Sequence, residues 1–459
     1  ESVLKSVTKE LTQPFKDLLH TPKALTGLNI SYILEGMTYF GVLTLLAIYF
    51  NREVGLNDIY AGIMVSILTA GITLSMLFLG ATVDWIGARK AILISLFLML
   101  IGRIFLAGAP DLGGAQGMWS STHVLAMIGI LGIVLGYGIY QPASYAAVKL
   151  WTNEKTSAMG YAMLYALMNL GGFLPGLVSP PLREHFGITG VFWFYVAMTV
   201  GGMSVVAIMI TKKAMKEAEE TARKTSDIKE IKEKKDVFEE MTGKEKLNYY
   251  FKNFPLKDAR FMFFIFALIP VQTLFAHNWL TIPQYTNRAF EGYVSQNFEF
   301  FSNLNPILIF VLTPIVTAFT ATKNTYKMMI IGTFVMASPT FLLALGPNIY
   351  TLFAFLLIMS VGEAMWQPRF LQWVAEIAPD GMAGIYMGIG QFPWFLTKMI
   401  TGLYSGWFLM HYCPEGVPPS QMNTEFMWFV YGIIAVISPI ALLLARNWMV
   451  KGFKVKHGE

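Results

Sequence analysis

Apolar runs of about 17 to 25 residues recur along this chain, and that is the length a helix needs to cross a hydrocarbon layer. They fall at 27–50, 58–81, 90–108, 123–148, 159–180 and 188–211. After a polar stretch they resume at 261–282, 299–321, 327–346, 350–375, 382–410 and 425–447. Hydrocarbon offers no partner to a free peptide group, so each run must satisfy its own backbone as a helix. The pattern predicts an all-α membrane protein with twelve transmembrane helices in two six-helix bundles. The expected divisions are an N-terminal arm at 1–26, a bundle at 27–211, a charged connector at 212–260, a second bundle at 261–447 and a tail at 448–459. With 459 residues, 55% of them hydrophobic and only 14% charged, the composition excludes a soluble protein of two or three domains.

Lysine and arginine set the orientation, because positive residues are retained on the cytoplasmic side. The arm, Arg89 and Lys90, Lys149 and Lys155, the connector, Lys323 and Lys327, and the tail lie on one side of the runs, so both termini are expected to be cytoplasmic. The opposite loops hold only Arg52, Arg183 and Arg288. Residues 1–23 are polar, with four lysines and no apolar core, and read as no cleavable signal peptide. The net charge of +5 follows from this topology and gives no reason to expect nucleic acid. The mixed charges of the connector read as a solvated linker with helical i,i+4 pairs, or as a regulatory, lipid-binding or accessory-protein arm. Cys413 is the single cysteine, so no intrachain disulfide is expected. No His, Cys and acid cluster suggests a metal, and nothing implies a cofactor or an enzyme.

Glu35, Glu363 and Lys398 stand inside apolar runs. A charge at membrane depth costs at least about 2.5 kcal/mol, so it faces protein, water or a partner charge, and the chain is expected to enclose a polar path. A carboxylate held in such a cavity can be loaded and unloaded with a proton near neutral pH, which makes Glu35 a proton-coupling candidate. Lys398, halfway along its run, is expected to pair with Glu35 or Glu363 or to hold a substrate carboxylate; the alternative is a lysine snorkelling to an interface. Tyr39 shares the helical face of Glu35, Trp366 and Gln367 that of Glu363, and Tyr161, Tyr165 and Asn169 share one face. Rings with polar tips suit a cavity that accepts varied side chains, and they also suit helix packing. Gln272 is a further cavity candidate. His277 is either a second proton carrier or a hydrogen-bonding residue near the outer end. Arg103 and Arg369, nearer the ends of their runs, read as interface or structural charges. Gly132 and Gly136 allow close helix approach, and Pro270, Pro306, Pro314 and Pro393 mark bends suited to gating.

The second and third runs are joined by Gly80-Ala-Thr-Val-Asp84-Trp-Ile-Gly87-Ala-Arg89-Lys90. This resembles the G-x-x-x-D-x-x-G-x-R-K signature of the major facilitator superfamily, and the resemblance implies gating and structural roles for Gly80, Asp84, Gly87, Arg89 and Lys90. Within that superfamily the chain resembles the proton-dependent oligopeptide transporters. The stretches that carry the resemblance are Glu35-Gly-Met-Thr-Tyr39-Phe40-Gly41, Gly136-Tyr-Gly-Ile-Tyr-Gln141-Pro142, Gly160-Tyr161-Ala-Met-Leu-Tyr165-Ala-Leu-Met-Asn169, Asn305-Pro306 with Pro314, and Gly362-Glu363 followed by Ala378-Pro379 and Gly384-Ile-Tyr-Met387-Gly388. The chain also departs from that family. Tyr32-Ile-Leu-Glu35-Gly36 stands where the family has Glu-x-x-Glu-Arg, Gln141 replaces a cavity lysine, and Phe261 to Phe290 holds no acid.

The resemblance implies a secondary active transporter moving short peptides or a related small zwitterion by proton-coupled alternating access, with Glu363 taking the substrate amino group. Its partners would be that substrate, protons and the bilayer, and its location a cytoplasmic (inner) membrane if bacterial. The departures leave open an uncoupled facilitator or a carrier of another polar solute, and a non-transporting membrane sensor or partner subunit.

Overall fold

A computed structural model describes residues 21–80, 82–152, 157–224, 243–320, 323–377, 386, 389–390 and 392–457. It is built of helices: α1 (Lys23–Arg52), α2 (Asp58–Leu79), α3 (Ala88–Gly113), α4 (Ser121–Trp151), α5 (Ser157–Met209), α6 (Lys212–Lys224), α7 (Ala259–Ala267), α8 (Ile269–Leu280), α9 (Ile282–Ala289), α10 (Phe298–Ser302), α11 (Leu304–Thr320), α12 (Thr325–Ala337), α13 (Ile349–Ile377), α14 (Phe392–Tyr412) and α15 (Thr424–Leu444). Among the described residues, ten stretches are long and apolar enough to cross a membrane.

Local chemistry sets where these helices begin. Asn57 caps α2 by accepting the Tyr60 backbone N–H at 3.0 Å, and Ser120 caps α4 by accepting that of His123 at 3.2 Å. Asn324 and Asn423 do the same for α12 and α15. Each side-chain oxygen satisfies one of the backbone donors that a helix leaves open at its start. Gly87, at φ 82°, makes the left-handed turn that starts α3, a conformation in which a side chain would be strained. The expected break between 180 and 188 falls at Gly187, where φ 70° and ψ −176° interrupt an otherwise continuous helical run. In the connector the described parts include α6, a helix at Gly243–Lys252 and a single turn at Pro255–Lys257 that leads into α7; 225–242 lie outside the described residues, as do Ala378, Pro379, Gly384, Met387 and Gly388.

Buried apolar side chains form two clusters. One draws on Ala24 through Ala218 and takes in Ala276, Leu280 and Phe298. The other draws on Phe261 through Met449. Each half of the chain thus has its own core, and Trp279 packs against both. The halves meet where α2 packs on α14, α5 on α10 and α11, and α1 on α8.

Within the first half α3 and α4 approach at backbone distance. A Cβ on Gly129 would lie 2.6 Å from the Gly102 carbonyl oxygen, and one on Gly102 would lie 2.5 Å from that of Gly129. Gly132 and Gly136 continue the contact, against Gly102 and Met99. Since the obstacle is backbone, a side chain here must push two helices apart. Overpacking of this kind costs about 1–3 kcal/mol. Gly129→Val is therefore expected to lower the detergent-solubilised melting temperature by several degrees; a melting temperature equal to wild type would show that the helices separate freely.

Candidate functional site

A cavity of about 620 Å³ lies between the two halves, a size suited to a small organic ligand. The first half contributes residues of α1 (Tyr32, Tyr39, Thr44), α2 (Met76), α4 (Tyr137, Gln141, Tyr145) and α5 (Tyr165, Asn169). The second contributes Phe275, Asn278 and Trp279 of α8, Asn303 and Asn305 near α11, Glu363 and Gln367 of α13, and Trp394 and Lys398 of α14. The lining runs from mid-helix toward the end that carries the α2–α3 turn.

The acid in this lining is Glu363 and the base is Lys398. Asn305 places Glu363: its Nδ2 donates to Glu363 Oε2 at 3.0 Å and to Ser360 Oγ at 2.9 Å. Lys398 Nζ donates to Thr73 Oγ1 of α2 at 2.9 Å. Among the described residues neither charge has an ion-pair partner, although both side chains sit in a largely apolar surround. A buried ammonium and a buried carboxylate each favour an opposite charge close by. Two further polar atoms of the lining, Tyr137 OH and Trp279 Nε1, are buried without a hydrogen-bond partner among the described residues. Tyr137 stacks on Tyr39 with ring centroids 4.7 Å apart, which fixes its ring.

Glu35 has a partner other than the one expected from the sequence. Arg103 of α3 holds it through both guanidinium nitrogens, with Nη1 to Oε2 at 2.9 Å and Nη2 to Oε1. Arg103 Nη1 also donates to Thr199 Oγ1 of α5 at 2.8 Å. Both side chains are almost completely buried, at 2% and 1% exposed, and neither lines the cavity. The expected pairing of Lys398 with Glu35 or Glu363 is therefore corrected. A planar guanidinium fork matches a carboxylate better than a single ammonium does, and Arg103 stands deep in α3. The run at 90–108 put Arg103 near an end; the helix continues through Pro110 to Gly113.

Other candidates divide between lining and packing. Tyr39, Gln141, Tyr165, Asn169, Asn305, Glu363, Gln367 and Lys398 line the cavity. Three others sit within helix contacts instead. Gln272 accepts from Thr397 Oγ1 at 3.3 Å, and Trp366 donates Nε1–H to Met336 Sδ at 3.1 Å. His277 is hydrogen-bonded to Thr281 Oγ1 at 2.7 Å and Tyr404 OH at 3.3 Å, and stacks on Tyr431 at 4.0 Å. The side chains of Tyr161 and Asp84 lie outside the described residues. Gly80 closes α2, and in the following turn Arg89 is partly buried and Lys90 exposed.

Away from the α2–α3 turn, the other end of the cavity is bridged. Arg288 grips Asp58 at 2.7 and 2.8 Å. Arg52 donates to Glu415 and to Asn287, both at 2.9 Å. Arg183 holds Glu299 with both oxygens engaged, and Thr44 donates to Asn303 at 3.1 Å. Each contact joins one half to the other. The three arginines that the charge pattern set apart as the sparse bases of one side are the three that make these pairs; their acids, Asp58, Glu299 and Glu415, carried no periodic signal that could have marked them.

A family model described as Major Facilitator Superfamily matches residues 28–396. Among curated proteins the chain is 26% identical over 203 residues to a peptide transporter of Yersinia enterocolitica, a match covering 41% of this chain and 38% of that one. A second match, to dipeptide and tripeptide permease A of Erwinia pyrifoliae, covers 33% of that relative, so the chain matches little more than a third of the length of these two relatives. Dipeptide and tripeptide permease A of Chromobacterium violaceum is 21% identical over 90% of this chain and 91% of its own. Among solved structures, the peptide transporter POT in complex with sulfate superposes with a TM-score of 0.70 at 18% identity, covering 93% of this chain and 95% of that one. A POT family transporter in complex with 5-aminolevulinic acid gives 0.66 at 16%, covering 93% and 97%. Those structures share the fold. With ten apolar helices and a family model matched over most of its length, the chain is a multi-pass integral membrane protein and belongs to the Major Facilitator Superfamily.

Proposed function

We propose that this protein is a secondary transporter of short peptides or related small zwitterionic solutes, working by alternating access of the central cavity between its two halves. The observation that carries this reading is the cavity itself, whose lining holds one acid, Glu363, and one base, Lys398, neither of them ion-paired among the described residues. A zwitterion supplies both missing counter-charges at once. Glu363 takes the substrate ammonium, and Lys398 takes the carboxylate, while the tyrosine and amide surround accepts side chains of varied shape. The names of the relatives support the same substrate class.

Twelve spans follow if α5 crosses twice about Gly187 and α14 counts as a crossing. The positive-inside rule then puts both termini and the α2–α3 turn in the cytoplasm, of a bacterial inner membrane if the source is a bacterium. We take the two halves as 27–211 and 261–447, a division supported by the two buried clusters, one mainly from Ala24 through Ala218 and the other from Phe261 through Met449. In that orientation the arginine pairs close the outer end, and the cavity faces inward.

For proton coupling we propose Glu363, because it lines the cavity and can exchange a proton for a substrate ammonium. Glu35, tied to Arg103, serves as a structural hub, and His277 as a packing residue. Uncoupled transport keeps one specific support: with Glu35 engaged and Gln141 in place of a lysine, the first half brings no charge to the lining among the described residues.

Three outcomes are expected in proteoliposomes with an inward acidic gradient and labelled dipeptides. Glu363→Gln should lose gradient-driven accumulation while retaining counterflow; full accumulation would remove Glu363 from coupling. Lys398→Ala should weaken binding of free-carboxylate dipeptides about tenfold or more, the worth of one charge-assisted hydrogen bond; wild-type affinity would remove it from the site. Glu35→Gln should retain gradient dependence but lose about 3–5 kcal/mol of stability by leaving Arg103 unanswered. Thermal melts showing recovery in the Glu35→Leu, Arg103→Met double variant would agree with this, and loss of coupling without loss of stability would return Glu35 to the proton path.

A further inference from the structure

Lys398 does two things in this structure. Its ammonium faces the cavity, and it also crosses from α14 of the second half to α2 of the first, donating to Thr73 Oγ1 at 2.9 Å. The Thr73 hydroxyl spends its own proton on the Thr69 carbonyl at 3.2 Å, so toward Lys398 it acts as an acceptor. About two turns back along α2, toward the glycine end of the seam, Ser66 Oγ donates to the Lys398 backbone carbonyl at 2.9 Å. Beyond this point, away from the cavity, the two helices touch at backbone distance: a Cβ on Gly406 would collide with the Asp58 carbonyl oxygen, and one on Gly402 would lie 2.9 Å from that of Gly62. The seam is thus tight glycine packing at one end and a single ammonium-to-hydroxyl hydrogen bond where it meets the cavity.

We propose that Thr73 is the resting partner of Lys398 and that a substrate carboxylate displaces it, so that Thr73 sets affinity for the carboxylate end and binding releases α14 from α2 at the cavity edge. This rests on the reading of Lys398 as the carboxylate anchor. A hydroxyl is a neutral acceptor; a carboxylate adds a full opposite charge to the ammonium's hydrogen bond and so makes the stronger of the two bonds. An ammonium has three donors but one compact, flexible head. Turning that head toward a ligand in the cavity draws it from α2. The resting hydrogen bond therefore competes with substrate, and binding a substrate carboxylate breaks one link between the halves. Glu363 has no such role, since its hydrogen-bond partner Asn305 belongs to its own half.

Thr73→Val keeps the shape of the side chain and removes the acceptor. It is expected to bind a free-carboxylate dipeptide about three- to tenfold more tightly than wild type, the loss of one competing hydrogen bond, and to bind the matching C-terminally amidated dipeptide unchanged. Thr73→Ser, which restores the hydroxyl, should return both affinities to wild type. Isothermal titration or thermal-shift titration of purified full-length protein reads all six affinities. If wild type prefers the free carboxylate but Thr73→Val leaves the free-to-amidated ratio unchanged or lowers it, or if Thr73→Ser behaves as Thr73→Val, the competition is refuted while the anchor stands. If wild type binds free and amidated dipeptides equally, the anchor itself fails and the competition with it.

Discussion

Opposite charges meet inside the first half where hydrocarbon surrounds the bundle, and the arrangement of the rest follows from how they are answered. Arg103 and Glu35 form a two-pronged pair that Thr199 completes, tying α1, α3 and α5 at one depth. A buried pair of this kind adds little over well-packed apolar groups, whereas removing one partner is costly. Its effect is on position: the three helices cannot slide past one another without parting charges in a medium that will not solvate them. It also cancels the first half's charge internally. What that half shows to the cavity is aromatic, aliphatic, hydroxyl and amide surface, and among the described residues the lining's charge comes from the second half.

Contacts between the halves are of two kinds. At the end opposite the α2–α3 turn they are ion pairs of unequal weight. Arg52 and Glu415 are 42% and 43% exposed and contribute at most about 1 kcal/mol. Arg288 and Asp58 are 5% and 9% exposed, and Glu299 beneath Arg183 is fully buried. Parting these would strand charges away from water, so they, rather than the Arg52 pair, hold that end shut. Along the seam of α2 and α14 the contact is van der Waals, glycine against backbone. That glycine contact resists compression without a directional bond of its own, the hydrogen bonds of Ser66 and Lys398 across the same seam lying nearer the cavity, and it suits two bodies that rock about it.

The fold was legible in the sequence because membrane helices follow one simple rule, an apolar run of bilayer length, and the caps at Asn57, Ser120, Asn324 and Asn423 lie where those runs begin. The site was legible in part. Glu363, Lys398 and Tyr165 stood out as polar groups inside runs, and Asn305 and Gln141 through the stretches that resemble the peptide-transporter family; all five line the cavity. Gln272 and His277 announced themselves identically and proved to serve helix contacts, because polarity in a span says that a group needs a partner and not whether that partner is a ligand or a neighbouring helix. Trp366, sharing the face of Glu363 by spacing, turned to Met336 instead. Arg103 was misplaced by the hydropathy boundary, since the apolar run stops at Gly108, before Pro110 and Asp111, while the helix itself continues to Gly113.

A zwitterion held by Glu363 and Lys398 would have both its charges fixed to one half, on α13 and α14. The other half would then meet it with surfaces that make hydrogen bonds of ordinary strength, and motion between the halves would require no ion pair with the ligand to break. Lys398 is the exception, since its ammonium is the one charged group of the lining hydrogen-bonded across the seam among the described residues. On that reading an empty cavity would leave the ammonium bound to the first half, and a filled one would assign it to the ligand. The same side chain can thus hold the halves together when there is nothing to carry and free them when there is.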